Sequence, residues 1–335
     1  MTAHAVLHDI SLLTECAAVD TALSGVLRDL SFVPAPPGTP VDSSALRLFV
    51  GWRERVVPVE HAAILTARDS VAVRRLGERM QVTDGTSVFD VDVEAGRGTA
   101  QLGRGWTVRA RVIQQRFWAT GLVLLLRCRG VHPLHAAALV DPEDNGVLFV
   151  GASGSGKSTL ALGLVRRDWR YLSDDAVLLR DTVDGVEMLA LRRPFSIDAT
   201  EATRSDAVAI ASPIGTTTTK RRVDIERSYP ATRVARARPW MVVFPRIVRE
   251  DRSTLARVQP IEAFGRLLGQ SGPELFDRRS TPHSVRVIQR LLRQTASYEL
   301  RAGRDLRDDP GRIADLLASA DCHHGPHHPR AHEPL

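Results

Sequence analysis

Three short stretches hold residue types whose spacing could do chemistry. The first is "GASGSGKS", residues 151–158, which matches the P-loop (Walker A) pattern G-x-x-x-x-G-K-[ST]. Gly151, Gly154 and Gly156 allow a tight turn whose N–H groups face a single anion. A helix starting at Lys157 would aim its N-terminal dipole at the same anion. The spacing therefore predicts a polyphosphate cradle built from Gly151, Ala152, Ser153, Gly154, Ser155, Gly156, Lys157, Ser158 and Thr159. Lys157 would reach the β and γ phosphates of a nucleotide, and the Ser158 hydroxyl would meet Mg2+. The context is right: the apolar "GVLFV" precedes the loop and the apolar-faced "STLALGLV" follows it.

The second stretch is "YLSDDAVLL", residues 171–179. Carboxylates set between apolar runs are costly unless paired or bound to a cation. A helix of about 11 residues from Ser158 runs about 16 Å away from the cradle. About five residues of strand through "WRYLS" bring the chain back by the same distance. Asp174 and Asp175 thus return level with the start of the helix, where ligands sit in open α/β sheets. Adjacent strand residues point to opposite faces, so the two should differ in role. One would hold Mg2+, directly or through water, and the other would meet the substrate. In the alternative, one of the pair only caps a turn.

The third element is His135. If "DPEDNG" closes a hairpin, residues equidistant from about position 143 face each other, which sets His135 opposite Gly151. A further signal is compositional. Of 45 lysines and arginines, only Lys157 and Lys220 are lysine. A compact ammonium in an arginine-biased chain marks a place where it could matter. In "TTTTKRR", Lys220, Arg221 or Arg222 could contact the transferring phosphate or an acidic acceptor. An exposed loop with no role is the equal alternative.

The chain that must position these residues has 335 of them, enough for two domains of about 150 residues each. Hydrophobic content of 43% with 25% charged residues is that of a globular chain. The longest apolar run, "FWATGLVLLL", ends at Arg127, short of the ~18–20 residues of a membrane span. The N-terminus lacks the pattern of a signal peptide. Cys16, Cys128 and Cys322 have neither metal nor redox spacing, so a reduced, cytoplasmic setting is expected. The net charge of +6 comes from dispersed arginines with only 5% aromatics. That reads as a solvated surface and argues against a nucleic-acid partner.

Residues 1–112 are expected to form a small, mixed, mostly β domain. Alternating runs such as "LRLFV", "SVFDVDV" and "WTVRARV" are separated there by the turns "TDGTS" and "EAGRG". Residues 113–320 are expected to be α/β. That half opens with a helix over 114–130 ended by Gly130. Strands follow at "LHAAALV", "GVLFVG", "VAIASPIG", "RPWMVVFPRI" and "ARVQPI", with amphipathic helices at "IEAFGRLLGQ", "SVRVIQRLLRQ" and "RIADLLASA". The His- and Pro-rich tail, 321–335, is expected to be disordered.

Taken together, "LHAAALV…GVLFVGASGSGKSTLALGLVRR…RYLSDDAVLL" resembles the catalytic domain of HPr kinase/phosphorylase over about residues 131–180. That family phosphorylates a protein serine on a P-loop fold akin to PEP carboxykinase. The resemblance implies an α/β fold of this type behind a small β domain, ATP and Mg2+ as cofactors, and a serine hydroxyl of a peptide or small protein as acceptor. It maps His135 to the family histidine, Lys157 to the P-loop lysine and Asp175 to the catalytic aspartate, which leaves Asp174 with Ser158 as the metal side. Thr159 stands where the family has glutamate, and "LALRRPFSID" replaces its Gly- and Ile-rich metal-linked stretch. The implication is therefore limited to the kinase direction. In outline the chain looks more like HPr-kinase-related proteins of bacterial peptide-modification clusters, including kinases of lasso-peptide precursors. A homo-oligomer is compatible with this reading. A kinase of a small molecule such as free serine, and an ATPase or nucleotide sensor without phosphotransfer, remain as alternatives. No "LSGGQ"-like stretch supports a transporter ATPase.

Overall fold

The computed structural model describes residues 2–16, 20–56, 63–68, 70–77, 79–191, 195–198, 209–213, 220–223, 225–229, 232–271 and 280–321. The expected tail lies outside the described residues, apart from its first residue, Asp321.

The first half is built on one nine-stranded sheet. Its strands are β1 (Thr2–Leu7), β2 (Ile10–Cys16), β3 (Val33–Pro34), β4 (Leu46–Trp52), β5 (Ala63–Arg68), β6 (Val71–Leu76), β7 (Arg79–Thr83), β8 (Val88–Asp92) and β9 (Arg97–Leu102). They run in the order β3-β1-β2-β4-β9-β8-β7-β6-β5. Strands β5 to β9 form an antiparallel meander, as short alternating runs with tight turns dictate. The mixed N-terminal segment folds as the hairpin β1–β2 followed by helix α1 (Thr21–Asp29).

Helix α2 (Arg111–Leu126) tightens into a 3-10 turn at Arg127–Arg129 and stops at Gly130 in the left-handed region, where the sequence placed the stop. It presses on this sheet closely enough that a Cβ at Gly121 would land 2.0 Å from Phe89. Asp20 caps α1 through Leu23 N and accepts from the indoles of Trp106 and Trp118. That buried carboxylate ties α1 to α2. The apolar faces on either side of the expected 112/113 boundary therefore share one core.

The second half centres on a six-stranded mixed sheet. Its members are β11 (Ala136–Val140), β12 (Gly146–Val150), β13 (Arg170–Ser173), β20 (Pro239–Ile247), β21 (Thr254–Arg257) and β22 (Ala296–Ala302), in the order β13-β11-β12-β20-β22-β21. Side chains alternate between its two faces. Ala137, Leu139, Val147, Phe149, Met241 and Val243 pack toward α3 (Lys157–Val165) and a C-terminal helix, Ile313–Asp321. Ala136, Ala138, Leu148, Val150, Val242 and Phe244 pack the other way. On that side lie a four-stranded sheet, β10-β14-β15-β19, and two helices. The four strands are β10 (Val131–Leu134), β14 (Val177–Thr182), β15 (Gly185–Leu189) and β19 (Arg236–Ala237). The two helices are Pro260–Gly269 and Ser280–Gln294. Burial on both faces explains why these strands read as continuous apolar runs. The remaining strands, β16 (Phe195–Asp198), β17 (Ala209–Pro213) and β18 (Lys220–Val223), form a separate three-stranded sheet.

Three elements differ from expectation. "WTVRARV" is not a strand: Trp106–Val108 is a 3-10 turn, and Arg111 already opens α2. "ARVQPI" is a strand only to Arg257, because Pro260 suits the first helical position and opens a helix there. Strand β22 lies between β20 and β21 without an apolar run to announce it. Its Tyr298, Leu300 and Ala302 alternate with Ser297, Glu299 and Arg301. Among the described residues no helix is long and apolar enough to cross a membrane.

A buried histidine joins β10 to the two helices on that face. The Ser271 hydroxyl donates to Leu267 O, so it accepts from His132 Nε2–H at 2.9 Å. Nδ1 is then free to accept from the Ser284 hydroxyl at 3.2 Å. Burial, helped by nearby His283 and Arg127, pushes the pKa of His132 down to about 3. The folded-state value lies below the ordinary ~6.5, so the unfolded chain binds the extra proton. This contribution is whole above pH ~6.5 and is lost as pH falls toward 3. At pH 5 the expected loss is about 2 kcal/mol. Chemical denaturation of wild type and His132→Gln at pH 7.5 and pH 5 checks it. The variant should lose less stability on acidification, and an equal loss in both proteins would contradict the assignment.

Candidate active site

The hairpin β11–β12 pairs Ala136 with Val150, so its register is centred on position 143 and sets His135 across from Gly151. Immediately after β12 the chain turns through the P-loop. Gly156 caps α3 with φ of 94°, a conformation glycine adopts without strain, and Lys157 begins the helix. The Lys157 side chain is buried and folds back over its own loop. Its ammonium donates to Gly151 O at 2.7 Å and Ala152 O at 3.0 Å, and lies 3.3 Å from His135 Nε2.

His135 is held on three sides. Its backbone N–H donates to Gln270 O at 2.9 Å. Its Nδ1 faces Asp175 O at 2.7 Å and the Asp175 carboxylate at 3.3 Å. Two oxygens at Nδ1 place the ring proton there, which leaves Nε2 as an acceptor facing the lysine. Lys157, His135 and Asp175 thus form one contiguous row at the mouth of the loop.

The two aspartates occupy contrasting surroundings. Asp174 is fully buried, and both of its oxygens lie within 3.0 Å of the Ser158 hydroxyl. Asp175 adopts a left-handed backbone with φ of 69°, and its carboxylate is half exposed. The turn that separates them is fixed by Ser173. Its buried hydroxyl donates to Ala176 O and lies 3.0 Å from Leu191 O, while accepting from Leu191 N. Neither Ser173 nor the Gln270 carbonyl was singled out from sequence. The only local trace was the serine immediately before the aspartate pair.

The residues present suit a polyphosphate and a divalent cation. Ser155 Oγ is buried in the loop with no partner among the described residues, a polar atom left for a ligand. Ser158 Oγ and the Asp174 carboxylate are adjacent hard oxygen donors. Mg2+ typically takes one or two carboxylates beside substrate phosphates and water, so a three-acid cluster is not required. None is found among the described residues.

Lys220 and Arg222 begin and continue β18, where Asp198 pairs with Lys220 and Ser196 with Arg222. From Lys220 onward the expected loop is therefore a strand. The predicted phosphate or acceptor contacts of these two side chains, and residues 216–219, fall outside the described residues.

No family model matches the chain. Over 80 residues it is 35% identical to the HPr kinase/phosphorylase of Clostridium beijerinckii, covering 24% of this chain and 26% of that protein. Over 48 residues it is 52% identical to the HPr kinase/phosphorylase of Exiguobacterium sibiricum, covering 14% and 15%. Over 62 residues it is 37% identical to that of Chlorobium chlorochromatii, covering 18% and 19%. The Hpr(Ser) kinase/phosphatase structure from Coxiella burnetii aligns with 57% of this chain and 91% of that one, at 15% identity and a TM-score of 0.33. The match to the curated relatives thus spans about a quarter of their length or less, and over that local stretch the chain is HPr-kinase-like.

Proposed function

We propose that the protein transfers the γ-phosphate of ATP to a serine hydroxyl of a peptide or small protein. The observation that carries this is the row Lys157, His135 and Asp175 at the P-loop mouth, above the Ser158–Asp174 pair. Phosphoryl transfer is mostly positioning and electrostatics. Lys157, which now uses loop carbonyls, would exchange them for phosphate oxygens. Asp175 is open to solvent on one side, so an incoming hydroxyl can reach it and give up its proton to the carboxylate. His135 fixes that carboxylate through Nδ1–H and stands between it and the lysine. Mg2+, held by Ser158 and Asp174, would supply neutralising charge for the phosphates when bound.

Asp174→Asn removes the buried charge on the metal side. The Mg2+ concentration for half-maximal transfer should rise by about 10–100-fold. A Mg2+ titration of steady-state transfer reads this, and an unchanged requirement would remove Asp174 from the metal side.

The small sheet β16–β18 lies beside α3 through β16, which motivates a part for Lys220 and Arg222 in holding phosphate or an acidic acceptor. Lys220→Ala should lower turnover and leave the denaturation midpoint in place. Wild-type kinetics in this variant would leave Lys220 without that part.

The transfer itself is tested by incubating the full chain with labelled ATP, Mg2+ and serine-containing peptides. Label should move to a peptide serine, and its appearance only as free phosphate would contradict the proposal.

A further inference from the structure

The candidate site is polarised across its sheet. His135, Asp174 and Asp175 stand on the β11 and β13 side of the P-loop strand β12. On the other side of β12 runs β20, parallel to it. Pairing between the two ends at Phe149 with Val243, but β20 continues for four more residues to Ile247. This overrun passes along the P-loop. A Cβ at Gly151 would lie 3.8 Å from Pro245 O, and a Cβ at Gly156 would lie 3.8 Å from the Ile247 side chain. Ile247 is therefore in van der Waals reach of the last loop glycine.

Its side is set by strand alternation. Met241 and Val243 pack on the α3 face, so Ile247 shares that face, and Arg246 takes the other. The backbone beneath is firm, because Ile247 pairs with Ala302 of β22. Yet Ile247 is 54% exposed. Single exposed apolar residues are ordinary. This one differs in resting against the phosphate loop on a fixed strand.

A nucleotide held with its γ-phosphate toward Lys157, His135 and Asp175 must extend its sugar and base away from them. The side of the loop away from those residues is the β20 side, where Gly156 meets Ile247. We propose that Ile247 is the apolar platform for the nucleoside of the bound nucleotide. This rests on the P-loop reading above and adds to it the direction of the ligand. Ligand sites pair a few placed polar groups with apolar walls, and here the polar groups and the wall lie on opposite sides of β12.

The test titrates the full chain, with Mg2+, by calorimetry against ATP and against inorganic tripolyphosphate, which has no nucleoside. Ile247 is exposed, so truncation leaves the core intact. Ile247→Ala should weaken ATP binding by about five- to tenfold. Tripolyphosphate binding should not change, and Ile247→Leu should restore ATP affinity. Equal ATP affinity in wild type and Ile247→Ala, or an equal loss for tripolyphosphate, would overturn the proposal. If wild type binds neither ligand, the P-loop reading itself fails, and the platform fails with it.

Discussion

Asp175→Asn is expected to lower the single-turnover rate of phosphate transfer by about 10²–10⁴-fold, the usual scale for loss of a general base. The substitution keeps size and removes charge and basicity. Asp175 is the half-exposed member of the pair, and its carboxylate lies 3.3 Å from His135 Nδ1. That imidazole N–H holds the carboxylate in place at the solvent-facing mouth of the loop, where a hydroxyl can approach it. ATP binding should survive, because the loop amides and Lys157 remain. The paired measurement is single-turnover transfer with a nucleotide titration of the same preparation. Near-wild-type transfer would show that Asp175 is not the base. Loss of ATP binding along with transfer would show that it holds the nucleotide instead.

Lys157→Ala should have the largest effect on nucleotide affinity. A charge-assisted contact is worth roughly 1.5–3 kcal/mol, so binding should weaken by tens of fold or more. Transfer should be lost. The lysine is buried, and its ammonium bridges the loop carbonyls of Gly151 and Ala152 to His135. Truncation therefore also removes the ammonium that faces His135 Nε2. Thermal denaturation separates this from misfolding: Lys157→Ala should keep a cooperative transition. A folded variant with unchanged turnover would remove the P-loop assignment.

Much of the site was legible because its parts are local or symmetric about a turn. The P-loop is one contiguous pattern between a strand and a helix. The register of β11 and β12 followed from the polar turn at 141–146, and the structure pairs Ala136 with Val150 as that centre requires. The lengths of α3 and β13 set where the aspartates return. What was not legible depends on contacts distant in sequence. Gln270 O holds the backbone of His135 across 135 positions, and no spacing rule reaches that far. Leu191 meets Ser173 only after the β14–β15 hairpin has turned back. Strand β22 hid because one of its faces carries Glu299 and Arg301, which pair with Arg266 and Glu250. Helix α2 was visible as a helix, but the side it packs on was not. Its apolar residues are spread around the helix, and the close approach of Gly121 to Phe89 is a contact no periodicity announces.

The most direct test of the account is the fate of the γ-phosphate. The full chain, labelled ATP and Mg2+ would be incubated with a library of serine-containing peptides and, separately, with free serine. Mass spectrometry would locate the transferred phosphate. Phosphoserine in a peptide and ADP in equal amount are expected from wild type, and neither product from Lys157→Ala. ATP turned over to free phosphate alone, or transfer to free serine and to no peptide, would contradict it.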